Sequence, residues 1–144
     1  MENRINIMKL QPNAYKAMFG LEKYLGETSL DNKIKALIKI RASQINGCAY
    51  CIQMHTEEVR KLGESEQRLY ALSAWKESPL FSDKERAILA LTDKVTLIAE
   101  NGLSDEIYQK ALKELDENEI AEVIMMIVTA NAWNRIALST AMRH

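Results

Sequence analysis

Apolar side chains recur at intervals of three or four residues along most of this chain. In the segment 12–25, for example, Tyr15, Met18, Leu21 and Leu25 fall on one side of a helix drawn at 3.6 residues per turn. The alternating pattern typical of half-buried strands is almost absent. The sequence therefore predicts an all-α protein.

Capping residues and helix breakers divide the chain into separate helices. Pro12 suits a helix start, Asn46-Gly47 should end the second helix, and Ser82 to Glu85 has the pattern of a capping box. The predicted helices cover residues 12–25, 29 or 31 to 45, 48–62, a short segment from 65, 82–100, 104–115 and 118–142, with a connector at 75–81.

The last predicted helix is apolar on nearly every side between Ile120 and Trp133. A helix that is apolar all round has to be enclosed. Part of it is expected to pack against a second subunit, which makes the protein a homo-oligomer. The alternative is that the core of a single chain covers the whole helix.

Composition and charge narrow the class of protein. The 144 residues suit one domain, 1–144, with 47% hydrophobic and 27% charged residues. Basic and acidic residues nearly balance, at 19 and 20, and form no basic stripe, so no nucleic-acid partner is expected. No apolar run approaches the roughly 18 residues of a membrane span, and no apolar signal core follows Met1. The expected location is the cytoplasm.

The most informative stretch is a pair of cysteines with a histidine one turn later. Cys48, Cys51 and His55 are offset by three and four residues, so they share one side of a helix. After Gly47, Cys48 falls in the first turn, where free backbone N–H groups favour a thiolate. His55 titrates near neutral pH and can exchange a proton with the nearer thiol of Cys51. The second thiol can convert a sulfenic acid to a disulfide, so the triplet predicts a redox-active dithiol that reduces peroxides.

Other interpretations of the two cysteines compete with redox chemistry. A disulfide across two intervening residues closes too small a loop to stabilise the fold much. A structural zinc site needs four ligands, and the chain offers two cysteines, His55 and His144. Haem attachment needs histidine where Ile52 stands, and no βαβ pattern suggests a thioredoxin fold. Two inert buried cysteines remain an alternative.

With its flanks, this stretch resembles the carboxymuconolactone decarboxylase and alkylhydroperoxidase D-like (AhpD-like) family. The similar segments are 37–51, Met54-His55-Thr56, 63–72, Glu85-Arg86-Ala87 and Asn131 to Arg135. The resemblance covers residues 12 to 140 and implies a compact helical bundle of a small single-repeat member, assembled as a trimer or hexamer. It implies thiol-dependent hydroperoxide reduction in antioxidant defence, with no cofactor besides the cysteine pair and a lipoyl-type or thioredoxin-like dithiol as reductant.

The resemblance also assigns roles to the site residues. By analogy, Cys51 attacks the peroxide and Cys48 forms the disulfide with it, whereas the helix-terminus argument favours a thiolate at Cys48; both orders stay open here. Nothing in the residues indicates a lactone substrate or a decarboxylase.

Two positions depart from the family pattern. The proton relay of active members includes a glutamate twelve residues before the first cysteine, where this chain has Ala36, and a histidine precedes the second cysteine in the best-known members, where this chain has Tyr50. Asp93 or Glu85 could supply the missing acid to His55, although a solvated helix face is the favoured explanation for both. Without such an acid, the peroxidase activity is expected to be weak. The alternative function is a non-catalytic redox-sensing or metal-binding oligomer.

Overall fold

The structure, a computed structural model, describes residues 4–143, and within that range every regular element is helical. The expectations about the amino terminus and about His144 fall on residues outside this range. The helices are α1 Ile7–Leu10, α2 Pro12–Gly26, α3 Asn32–Asn46, α4 Ala49–Lys61, α5 Glu66–Ala71, a 3-10 helix Leu72–Glu77, α6 Asp83–Thr96, α7 Asp105–Leu112 and α8 Glu117–Ser139. The predicted all-α class is confirmed.

Side-chain caps explain why the helices begin where the sequence predicts. Asp31, Ser65, Ser82, Ser104 and Asp116 each accept a hydrogen bond from a backbone N–H of the first turn that follows. At Ser82 and Asp116 the third helical residue also bonds back to the cap, which completes a capping box. These contacts are local, so short sequence motifs are enough to locate them.

The main differences from the predicted elements lie in short or irregular segments. The short helix α1 was not predicted. The first residues of the predicted connector, 75–77, belong to the 3-10 helix. Helix α6 ends at Thr96 instead of Glu100. Turns follow Thr96, and Asn101 and Gly102 both take positive φ angles, of 70° and 57°, which a helix cannot accommodate.

Helix α3 lies at the centre of the molecule and packs against α4, α6 and α8. One apolar cluster joins α3, α6, α7 and α8 around Ile38, Leu91 and Met126. A second joins α3, α4, α5 and the 3-10 helix around Leu37, Val59 and Leu72. Because both clusters include α3, that helix fixes the position of the turn that follows it.

Helix α8 is covered by the chain's own core along most of its length, since nine of its residues are buried. Its outer stripe, Ala121, Ile124, Val128 and Ala132, is half-buried or exposed, and Val128 keeps 44% of its surface. The core of one chain therefore encloses only part of this apolar helix, and the homo-oligomer stays a prediction. No helix of residues 4–143 is long and apolar enough to cross a membrane.

Candidate active site

The turn between α3 and α4 carries the cysteine pair. Gly47 adopts a left-handed conformation, with φ at 71°, that glycine takes without strain. Just before it, the side-chain amide of Asn46 donates 2.9 Å hydrogen bonds to the oxygens of Asn131 and Asn134 on α8. Asn134 in turn donates to the hydroxyl of Ser43 on α3. These amides hold the end of α3 against α8 and so fix where α4 begins.

Cys48 and Cys51 are joined by a disulfide at the start of α4, with their Cα atoms 5.3 Å apart. Cys48 is the N-cap residue, and its Sγ accepts a hydrogen bond from the backbone N–H of Cys51. Both cysteines are buried, at 1% and 2% exposure. The sequence placed Cys48 in the first turn; the structure places it one position earlier, as the cap.

A cavity of about 330 Å³ opens beside this disulfide. Residues of α2, α3, α4, α8 and the segment after α8 line it: Tyr15, Phe19, Glu22, Lys39, Tyr50, Cys51, Met54, His55, Glu58, Trp133, Ala137 and Met142. Of the two described cysteines, Cys51 is among these residues and Cys48 is not. The two cysteines therefore differ in their access to the cavity.

His55 faces the cavity one turn after Cys51 on α4, and 12% of its side chain is exposed. Its Nδ1 lies 3.2 Å from Oε2 of Glu58. Burial lowers the pKa of His55 below its usual 6.5, because the charged ring loses hydration, and the nearby Lys39 acts in the same direction. Glu58 and Glu22 oppose that shift of the pKa. His55 is therefore mostly neutral at pH 7 and available as a proton acceptor.

Aromatic rings from α2 and α8 form one wall of the cavity. The Tyr15 ring meets the Trp133 and Phe19 rings edge-on, with centroid distances of 5.5 and 5.9 Å. The indole N–H of Trp133 donates a 2.8 Å hydrogen bond to Glu22. The cavity thus combines an aromatic wall with a histidine and a sulfur.

The acid partners suggested for His55 are wrong. Asp93 is buried and accepts hydrogen bonds from Arg41, at 2.7 and 3.3 Å, and from the indole of Trp75. Burial also excludes the solvated-face alternative for Asp93.

Glu85 forms an ion pair with Arg68 and closes the capping box with Ser82. Ala36, at the relay position of the family pattern, is buried in the second apolar cluster. The carboxylate that contacts His55 is Glu58, three residues further along the same helix.

Within residues 4–143, no three histidine, cysteine or acidic side chains come close enough together to hold an ion. His144, one of the four possible zinc ligands in the sequence, lies outside that range.

Comparison with known proteins decides the family. The sequence profile of the carboxymuconolactone decarboxylase family matches residues 12–94. The chain belongs to the carboxymuconolactone decarboxylase family. YdfG of Bacillus subtilis strain 168, an uncharacterized protein, is 40% identical over 143 residues, which span 99% of this chain and 97% of YdfG.

Solved structures of AhpD-like proteins share the fold. A protein of unknown function from Agrobacterium tumefaciens, named as a candidate antioxidant defence protein AhpD, superposes with a TM-score of 0.95 at 41% identity, covering 99% of this chain and 98% of that one. An uncharacterized peroxidase-related protein from Silicibacter sp. TM1040 gives 0.77 at 28% identity, over 96% and 71%. The debrominase Bmp8, at 20% identity and a TM-score of 0.83 over 94% and 73%, shares the fold alone. The predicted AhpD-like fold is confirmed.

The cavity residues that were not predicted as site residues include Glu22, Lys39, Glu58 and Trp133. Glu58 could have been found, because residues three apart on a helix are neighbours and His55 was already a candidate. The other three reach the cavity from α2, α3 and α8, and only long-range packing brings those helices together.

Proposed function

We propose that this protein is a thiol-dependent peroxide reductase that cycles Cys48 and Cys51 between dithiol and disulfide. The observation that carries the proposal is the asymmetry of the pair. Cys51 lines the cavity together with His55, whereas Cys48, although as deeply buried, does not line it. A peroxide in the cavity therefore meets the sulfur of Cys51 first, which favours the order implied by the family over the helix-terminus argument.

In the first step, neutral His55 accepts the proton of the Cys51 thiol. The thiolate attacks the outer peroxide oxygen, the O–O bond breaks, and Cys51 becomes a sulfenic acid. Sulfur loses two electrons, which the peroxide gains. The leaving alkoxide takes the proton from the His55 imidazolium and departs as an alcohol, so charge and protons balance.

Cys48 completes the oxidation. Its thiol attacks the sulfenic sulfur of Cys51, releasing water and forming the disulfide, which prevents irreversible over-oxidation. A dithiol reductant then attacks the disulfide, leaves as its own disulfide and restores both thiols. A lipoyl-type or thioredoxin-like dithiol is the expected donor.

The cavity wall favours an organic hydroperoxide. Tyr15, Phe19 and Trp133 offer apolar contacts, whose burial stabilises a bound apolar group by roughly 25 cal/mol per Å². Hydrogen peroxide cannot use this wall. The names of the Agrobacterium and Silicibacter proteins, antioxidant defence and peroxidase-related, agree with peroxide chemistry.

Stopped-flow consumption of cumene hydroperoxide with excess dithiol tests the proposal. We expect the wild type to turn over and Cys51→Ser to lose the reaction. Pre-reduced Cys48→Ser, freed of dithiol before mixing, should consume at most one equivalent of peroxide, because the chain then holds no second thiol that can convert the sulfenic acid to a disulfide. Mass spectrometry of the Cys48→Ser protein should find the sulfenic acid at Cys51. Turnover by Cys51→Ser, or no advantage of wild type over both variants, would contradict the proposal.

A redox switch without turnover is the second candidate, favoured by the replacement of the relay glutamate with Ala36 in an apolar cluster. This candidate predicts that peroxide forms the disulfide and that added dithiol reverses it, but so slowly that peroxide consumption with excess dithiol stays at the rate seen without protein. The same stopped-flow traces distinguish the two functions.

A further inference from the structure

The carboxylate of Glu58 occupies the Nδ1 side of the His55 ring. Oε2 of Glu58 lies 3.2 Å from Nδ1, within hydrogen-bond distance. Both residues are on α4 and both line the cavity. A carboxylate can only accept a hydrogen bond, so the contact requires the ring proton to be on Nδ1. The unprotonated nitrogen of neutral His55 is then Nε2.

We propose that Glu58 is the positioning residue of His55: it selects the tautomer with a free Nε2 and stabilises the imidazolium formed when His55 accepts a proton. The second part rests on the proposed peroxide reduction, whereas the choice of tautomer does not. Glu58 thus supplies from α4 a carboxylate that Ala36 cannot supply from α3.

The other charged groups that face His55 do not replace Glu58. From α2, Glu22 faces the cavity, but Oε1 accepts the indole hydrogen bond of Trp133. From α3, Lys39 carries a positive charge, which disfavours the imidazolium. Tyr15 and Tyr50 are the remaining titratable side chains lining the cavity besides Cys51, and α8 contributes no titratable group to it. Among these lining residues, Glu58 is the acid bonded to the ring.

The exposure of Glu58 sets the size of the effect. Its side chain is 56% exposed, so water screens its charge. Removing that charge should slow the Cys51 reaction at neutral pH by about fivefold, well short of the loss expected on removing a buried partner. The effect should pass entirely through His55.

The first test measures the pKa of His55 and needs no enzymatic activity. NMR titration of the imidazole in the disulfide form compares wild type with Glu58→Gln and Glu57→Gln. Glu57 is the matched control, because it is the adjacent acid on α4 and bonds to Gln53 instead. The chain has two histidines, and loss of one signal in His55→Ala assigns the spectrum.

We expect Glu58→Gln to lower the pKa of His55 and to move its ring nitrogen shifts away from the tautomer protonated at Nδ1. Glu57→Gln should leave both unchanged. An unchanged His55 in Glu58→Gln, or the same shift in Glu57→Gln, would overturn the assignment even if the protein reduces peroxides.

The second test is a double-mutant cycle on the rate of thiol oxidation. Glu58→Gln should slow the reaction about fivefold in the wild-type background and move its pH profile, yet change nothing in the His55→Ala background. Equal losses in both backgrounds would show that Glu58 acts independently of His55 and would refute the proposal. If no variant consumes peroxide, the proposed function fails while the NMR result still decides the role of Glu58.

Discussion

The carboxylate of Glu22 and the indole of Trp133, 111 residues apart in sequence, share a 2.8 Å hydrogen bond at the edge of the cavity beside Cys51. Helix α2 packs against α1 and α8, and this bond is a polar link between α2 and α8. One wall of the candidate active site therefore depends on a contact between the two ends of the chain.

Replacing Trp133 with phenylalanine should loosen α2 while keeping most of the aromatic wall. Loss of one hydrogen bond should lower the free energy of unfolding by about 1 kcal/mol. Amide hydrogen exchange should rise mainly in α2, because α8 retains its buried core contacts. Tyr24→Phe, which alters an exposed ring on α2, is the control. Equal exchange in the two variants would exclude the role of the indole bond.

Asp93 should be a large contributor to stability without contacting the cavity. Its side chain neutralises Arg41 and accepts the Trp75 indole in a buried setting, so Asp93→Ala leaves a positive charge and an indole donor without their partner. We expect the free energy of unfolding to fall by about 3 kcal/mol, measured in urea. Glu106→Ala, which breaks an exposed ion pair with Lys110, should leave the urea midpoint close to wild type. Comparable losses in the two variants would refute this prediction.

His55 should make stability depend on pH in a defined direction. Because its pKa is lower in the folded protein, the unfolded chain binds a proton more readily, and stability from this group falls as the pH drops below the usual value of 6.5 towards the folded pKa. Urea unfolding at about pH 5 and about pH 7.5 should therefore show a smaller difference in His55→Gln than in wild type. Lys39→Met should also reduce the difference, because Lys39 helps to lower the pKa of His55. An identical difference in all three proteins would contradict the assignment.

The outer stripe of α8 should mediate self-association. Val128 remains 44% exposed on this stripe, and a glutamate there would place a charge in any contact between two copies. In sedimentation velocity, wild type is expected at a multiple of the single-chain mass and Val128→Glu at the single-chain mass. Tyr70→Glu, on a 75% exposed residue of α5, should behave as wild type. A wild-type protein of single-chain mass would rule out the predicted homo-oligomer.

The sequence predicted the helices well because their boundaries depend on neighbours. Asp31, Ser82 and Ser104 each cap the helix that immediately follows, so a few residues contain the whole interaction. The end of α6 was placed four residues too late, because the apolar spacing continues past Thr96 while the backbone already turns.

The candidate site was predicted only as far as α4 extends. Cys48, Cys51 and His55 follow from one short motif, but the suggestion that Asp93 or Glu85 contacts His55 was wrong. Their actual partners, Arg41 and Arg68, lie 52 and 17 residues away in sequence, and no local pattern records such pairings. The aromatic wall depends in the same way on how distant helices pack.

Cys48 has a structural role as well as a chemical one, since its sulfur accepts a hydrogen bond from a backbone N–H in the first turn of α4. Serine is among the preferred residues at this position and its hydroxyl can accept the same bond, whereas alanine cannot. Cys48→Ser therefore removes the thiol that forms the disulfide with Cys51, with little change to the start of α4. Cys48→Ala alters both, so a loss of activity in that variant would be ambiguous. The serine variant therefore reports on redox cycling alone, whereas the alanine variant reports on redox cycling and on helix initiation together.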